Sequence, residues 1–161
     1  MADYDVALYT QLTGLKSSNP GLEVWISVGG WAAGGQVFSD MTSTLANRAA
    51  FIASAIRFME TYAFDGIDID WEYPVSSDRG GAAADKANFV LLLQELRAAV
   101  GTKYGSITPL SLALGMCSLT VIVSATLPSS YWYMRNFDTV GMEPYLDWFN
   151  IMSMSSATPL D

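Results

Sequence analysis

The sequence predicts an α/β chain built on a parallel sheet, and three observations carry that prediction. Apolar runs of strand length occur at 22–28, 64–72 and 148–152, with a further one inside 110–127. Between the first runs, Phe51, Ala55, Phe58, Met59 and Tyr62 recur at helical spacing, as do Phe89, Leu92, Leu93, Leu96 and Val100. Strand, helix, strand, helix, strand is the order that builds a parallel sheet through right-handed crossovers. At 161 residues the chain has the length of one domain.

The elements follow in order. Residues 1–21 read as a polar entry with a turn at Ser18-Asn19-Pro20-Gly21. The opening Met-Ala-Asp-Tyr-Asp has neither the basic nor the apolar region of a signal peptide. Leu22 to Val28 reads as a buried strand running into Gly29-Gly30. Ser39-Asp40 and Thr42 offer caps for a helix over 43–63. Phe64 to Glu72 is the second strand, and a loop follows at Pro74 to Gly81. A second helix covers 82–100 and closes at Gly101. Leu110 to Leu127 reaches the length of a membrane span. Five Ser and Thr residues dilute it and Gly115 interrupts it, so Thr120-Val121-Ile122-Val123 reads as a buried strand instead. Trp148 to Met152 is the last strand.

Composition removes whole classes of function. Sixteen acids against eight bases give a net charge of -8. No basic stripe is available to displace counterions from nucleic acid, and anionic membranes are disfavoured for the same reason. There is no histidine, which excludes Ser-His and Cys-His nucleophiles and His-ligated zinc. Cys117 is the only cysteine, so no internal disulfide or CxxC metal site can form. Carboxylates, hydroxyls, amides and aromatic rings remain, and carbohydrate chemistry needs little else.

Four of the sixteen acids fall within the eight residues from Asp65 to Glu72. On a strand Ile67, Ile69 and Trp71 share one face, while Asp68, Asp70 and Glu72 share the other, about 6.5–7 Å apart in succession. Three carboxylates on one inner face cannot all ionise cheaply, so at least one pKa must rise. The result is an acid able to stay protonated near neutral pH, as a general acid must. A solvated edge does not explain the Ile, Ile, Trp face. A calcium loop would need Gly where Asp70 stands. A magnesium-binding carboxylate pair is the better rival.

Here the sequence resembles the family 18 glycoside hydrolases, the chitinases and their relatives. Asp65, Asp68, Asp70 and Glu72 fill every position of the family's D-x-x-D-x-D-x-E motif, and Tyr73-Pro74 follows as in its commonest form. Ser27-Val28-Gly29-Gly30-Trp31 fits S-x-G-G on the preceding strand. Thr126-Leu127-Pro128, Tyr131-Trp132-Tyr133 and Leu146 to Met152 resemble the segments around the fifth and sixth strands. The resemblance implies a partial (β/α)8 TIM barrel, roughly half of one, as a single incomplete catalytic domain over 1–161. It implies retaining hydrolysis of β-1,4-N-acetylglucosamine linkages in chitin or chitooligosaccharides, assisted by the substrate's own acetamide. Glu72 would be the general acid and base, Asp70 would orient the acetamide, and Asp68 would share a proton with Asp70. Gly29, Gly30, Trp31, Tyr73 and Met152 would meet the sugar, with Asp65 and Ser27 as structural support. Tyr131, Trp132 and Tyr133 are expected to pack rather than bind. No metal or cofactor is implied. The full-length relative would be an extracellular monomer.

Two departures stand beside this resemblance. A closed barrel of this kind needs about 250 residues, and only strands matching the third to the sixth are present. Where the family's sixth strand continues M-[ST]-Y-D, Met154 and Ser155 replace Tyr and Asp. Ser111–Met116 and Thr120–Ala125 each read as a strand where the family needs one, as an untranslated segment read through as coding would produce. The chain alone is therefore expected to be inactive. The alternative function is a non-catalytic chitin-binding relative or an inert gene remnant.

Overall fold

The computed structural model describes residues 5–101 and 121–153. Four parallel strands, β1 (Trp25–Gly29), β2 (Gly66–Asp70), β3 (Ile122–Pro128) and β4 (Trp148–Met152), lie in chain order. Helices α3 (Leu45–Tyr62) and α4 (Asp85–Val100) connect them, with α1 (Asp5–Gly14) and the shorter α2 (Gly35–Thr42) beside them. This is part of an α/β barrel. The strand expected at Ser111–Met116, Cys117, and the replaced positions Met154 and Ser155 lie outside the described residues.

The apolar face of β2 sets the core. Ile67, Ile69 and Trp71 are at most 1% exposed. Trp71 stacks on Phe38 of α2 at 5.6 Å and meets Phe89 of α4 at 5.3 Å. Leu92, Leu93 and Leu96 of α4 are fully buried beside them. Burial on this scale contributes about 1.5–3 kcal/mol per large side chain. On the opposite, concave face, Trp25 of β1 and Trp148 of β4 approach to 4.8 Å between ring centroids.

Three local expectations need correction. The polar entry is in fact α1, followed by a one-turn helix at Leu15–Ser17. Tyr9 packs on Phe58, Tyr62 and Phe64, but Val6, Leu8 and Leu12 point outward. Apolar residues thus encircle α1 and leave no one-sided stripe to read. Ser39, Asp40 and Thr42 do not cap the long helix; they lie inside α2. The cap of α3 is Thr44, whose side chain accepts from the Asn47 N–H. The strands at 22–28 and 64–72 shorten to Trp25–Gly29 and Gly66–Asp70, because pairing starts only where a neighbour lies alongside.

One buried ion pair fixes the junction of β3 and β4. Arg97 of α4 meets Asp147 at 2.6 Å, and both side chains are less than a tenth exposed. Arg97 also donates to the carbonyls of Tyr145 and Val121, while Asp147 accepts the Val123 N–H. Asp147→Ala would take the anion from the buried guanidinium, and is expected to cost about 3–5 kcal/mol in urea denaturation. Replacing both partners by apolar residues, Arg97→Met with Asp147→Leu, is expected to cost less than Asp147→Ala alone. A double variant less stable than that single one would contradict this account of the pair.

Candidate active site

The register of the sheet assembles the site. Ser27 pairs with Asp68, Asp68 with Ser124, and Thr126 with Asn150. Strand alternation turns all five side chains toward the concave face. Four of them converge on Asp68. Ser27 Oγ and Thr126 Oγ1 donate to Oδ2 at 2.8 and 2.9 Å. Ser124 Oγ and Asn150 Nδ2 donate to Oδ1 at 2.7 and 2.9 Å. Two donors on each oxygen match the acceptor capacity of a carboxylate. They also occupy both Asp68 oxygens, so Asp68 is not available to a magnesium-binding pair.

Asp70 stands one step nearer the C-terminal end of β2 in a different environment. Its Oδ1 is buried and has no hydrogen-bond partner among the described residues. Burial first, then the charges of Glu72 and Asp68, push its carboxyl from 3.8 up to about 6. The raised acid that the row requires is therefore its middle member. Glu72 lies two residues past the strand end and is 7% exposed. Asp65 sits before the strand, away from this cluster. It accepts from Lys16 Nζ at 2.8 and 2.9 Å and from the Val24 N–H at 2.8 Å.

The loops beyond the strands supply the rim. Gly30 donates its N–H to the Asp70 carbonyl at 2.8 Å. Gly29 has φ +127°, and a Cβ there would strike the same carbonyl, so its bare Cα serves the β1–β2 junction. A Cβ on Gly30 would lie 3.6 Å from Asp70 Oδ2. Trp31 is 59% exposed. Tyr73 is buried, its ring stacked on Tyr133 at 4.0 Å. Burial, and then the adjacent Glu72 carboxylate, hold its hydroxyl protonated well above the ordinary tyrosine range. Tyr133 donates its hydroxyl to Asp78 at 2.9 Å. Packing holds for Tyr133 but not for Tyr131 or Trp132, which are mostly exposed on a single helical turn that can face the loop with only one side. Met152 ends β4 on the same face as Asn150.

Sequence reasoning named Ser27 as structural support but missed Ser124, Thr126 and Asn150. Their signal was polarity at alternate inward positions of β3 and β4, visible only once the register is known. It also missed Asp85, buried behind the loop after Glu72. Asp85 accepts from Ser39 Oγ at 2.7 Å and from the N–H groups of Val75 and Ala82 at 3.0 and 2.7 Å. Arg79, which donates to the Glu72 carbonyl, was missed as well. Among the described residues no group of three His, Cys, Asp or Glu side chains is placed to hold a metal ion.

Comparison with known proteins gives a consistent picture. The profile of the glycosyl hydrolases family 18 matches residues 1–161. The chain is similar to Chitinase A1 of Niallia circulans, at 40% identity over 149 residues, 89% of this chain and 19% of that protein. It is similar to the Endochitinase of Manduca sexta, at 44% identity over 97 residues, 60% of this chain and 18% of that protein. Among solved structures, the cell-surface-expressed multi-modular chitinase ChiW of Paenibacillus superposes with a TM-score of 0.78 at 36% identity. That match covers 92% of this chain and 16% of that one. The chain thus spans less than a fifth of the length of these relatives.

The position of Asp70 gives a pH dependence of stability. A carboxyl whose folded pKa lies above its unfolded value stabilises the fold while protonated. That contribution is complete below pH 3.8 and is lost as the pH rises through about 6. Asp70→Asn removes the ionisation. At pH 7.5 it is expected to raise stability by about 1 kcal/mol, a figure discounted for the partial exposure of the group. By pH 4 the advantage should vanish in paired thermal melts. An equal effect of the substitution at both pH values would contradict the assignment.

Proposed function

The chain belongs to the glycosyl hydrolases family 18, and from that premise we propose that it carries the acid-bearing part of a chitinase active site. The substrate class is chitin or chitooligosaccharides. The observation that carries this reading is the inward row of Asp68, Asp70 and Glu72, in which each carboxyl has a different environment. Asp68 is saturated by four donors, Asp70 is raised with one oxygen unpartnered, and Glu72 is buried at the mouth.

The environments support the roles of Glu72 and of the Asp68–Asp70 pair; the acetamide step is what membership of the family implies. Glu72 donates a proton to the glycosidic oxygen as the bond to the anomeric carbon breaks. The acetamide oxygen of the same sugar attacks that carbon and forms an oxazolinium ion. The unpartnered Asp70 oxygen receives the acetamide N–H and balances the positive charge, as a preorganised acceptor in a water-poor site does. Asp68 holds a fixed negative charge beside it, so of the pair it is Asp70 that takes up a proton as the pH falls through about 6; above that pH Asp70 meets the acetamide as a carboxylate and no proton has to leave it. Water then opens the ring from the same face as the departed sugar and gives its proton to Glu72. The configuration is retained. Trp31, Gly30, Tyr73 and Met152 line the sugar side, and Asp65 and Ser27 support the strand.

We propose further that the chain works outside the cell, where chitin is found, and that the full-length protein is monomeric. Among the described residues no helix is long and apolar enough to cross a membrane. A second reading, sugar binding without cleavage, is favoured by Met154 and Ser155, which replace the Tyr and Asp that the family motif carries there.

The test uses this segment grafted into a full-length relative, with Tyr and Asp restored at positions 154 and 155. The graft is expected to hydrolyse chitin oligomers, and Glu72→Gln is expected to lower turnover by about 10²–10⁴-fold while oligomer binding persists. Undiminished hydrolysis by the Glu72→Gln graft would refute the assignment. The 161 residues alone, with one wall of the cleft, are expected to show no turnover.

A further inference from the structure

Arg79 joins the two loops that flank the acid row. It sits at the end of a one-turn helix, Ser77–Arg79, in the loop between β2 and α4. Its Nε donates to the Glu72 carbonyl at 3.1 Å, and its Nη2 donates to the Trp31 carbonyl. The guanidinium lies over the Trp31 ring, 3.7 Å from the centroid. The two loops leave no slack around this bridge. A Cβ on Gly35, at the start of α2, would stand 2.5 Å from the Arg79 carbonyl, and one on Gly80 would stand 2.7 Å from the Gln36 side chain.

Trp31 is nonetheless 59% exposed. One face of its ring is covered by Arg79, and Tyr73 meets it edge-on at 6.5 Å. The accessible area is therefore the opposite face. An indole held with one face covered and the other bare is a platform for a flat, C–H-bearing surface such as a pyranose ring. A planar cation whose donors are already engaged loses little freedom in holding it. The same fork grips the Glu72 backbone, so the platform sits at a fixed offset from the acid.

We propose that Arg79 is a positioning residue for sugar binding, fixing Trp31 as a one-faced stacking platform at a set distance from Glu72. The ordering of Trp31 stands on contacts within the chain; its use by a sugar rests on the carbohydrate reading above. Lysine at this position would keep the charge but could neither lie flat on the indole nor reach both carbonyls.

The experiment reads these two parts separately in the 161-residue chain. Indole N–H resonances of the five tryptophans are recorded by ¹⁵N NMR, with Trp31 assigned by Trp31→Phe. Arg79→Ala and Arg79→Lys are both expected to shift and broaden the Trp31 signal. Those of Trp25, Trp71, Trp132 and Trp148 should stay in place, which shows that the fold is retained. Titration with penta-N-acetylchitopentaose is expected to show affinity reduced about two- to fivefold by either substitution, the scale of one exposed cation–π contact. An unmoved Trp31 signal in Arg79→Ala overturns the inference whatever the sugar does. A disordered Trp31 with unchanged pentaose affinity overturns the platform's use. Failure of the unaltered chain to bind the pentaose overturns the carbohydrate reading itself, and is told apart because it needs no substitution at Arg79.

Discussion

One carboxylate ties the sheet together. Asp68 lies in β2 and accepts from Ser27 in β1, from Ser124 and Thr126 in β3, and from Asn150 in β4. All four strands thus meet at a single pair of oxygen atoms on the concave face. The contact lives at the level of packing, but its consequences are chemical. Satisfied by donors on both oxygens, Asp68 supplies a negative charge that cannot move away. Asp70, two residues on, projects from the same strand into the same face, and Glu72 follows two residues past its end. The spacing of Asp68 and Asp70 is a property of the strand, and the electrostatics of the row begin with that immobile neighbour.

The site is held against the preferences of its parts. Asp70 carries a buried oxygen with no partner among the described residues, and Glu72 is buried at the mouth of the row. Each would be costly in an ordinary core. The surroundings supply the restraint: Trp71 is wedged between Phe38 and Phe89 behind the row, and Asp85 gathers Ser39, Val75 and Ala82 beneath the following loop. Costly groups gathered in one cluster and held by well-packed neighbours are the pattern expected where a site is kept for chemistry rather than stability.

Much of this was legible in the sequence. The alternation of Ile67, Ile69 and Trp71 with Asp68, Asp70 and Glu72 set the two faces of β2 correctly, because strand periodicity leaves no third arrangement. The limits of β4 and the existence of α3 and α4 were equally plain from their apolar spacing. The motif residues were visible as motifs. What stayed hidden depended on contacts between distant segments. Ser124, Thr126 and Asn150 are unremarkable polar residues until the register sets them around Asp68. Arg79 looks like a solvated loop cation until the β1–α2 loop folds over it. The helix α1 escaped notice because its apolar residues face several directions, Tyr9 toward the core and Val6, Leu8 and Leu12 away from it.

The central claim is that the fixed, donor-saturated Asp68 and the buried row beside it leave Asp70 as the carboxyl of the row that is pushed up to about 6. The direct measurement is a ¹³C NMR titration of the side-chain carboxyl carbons in the folded chain, with Asp70 assigned through Asp70→Asn. The account predicts an inflection for Asp70 near pH 6, well above the ordinary 3.8 of an aspartate. An Asp70 signal that inflects near pH 4, as a solvated carboxyl would, contradicts it.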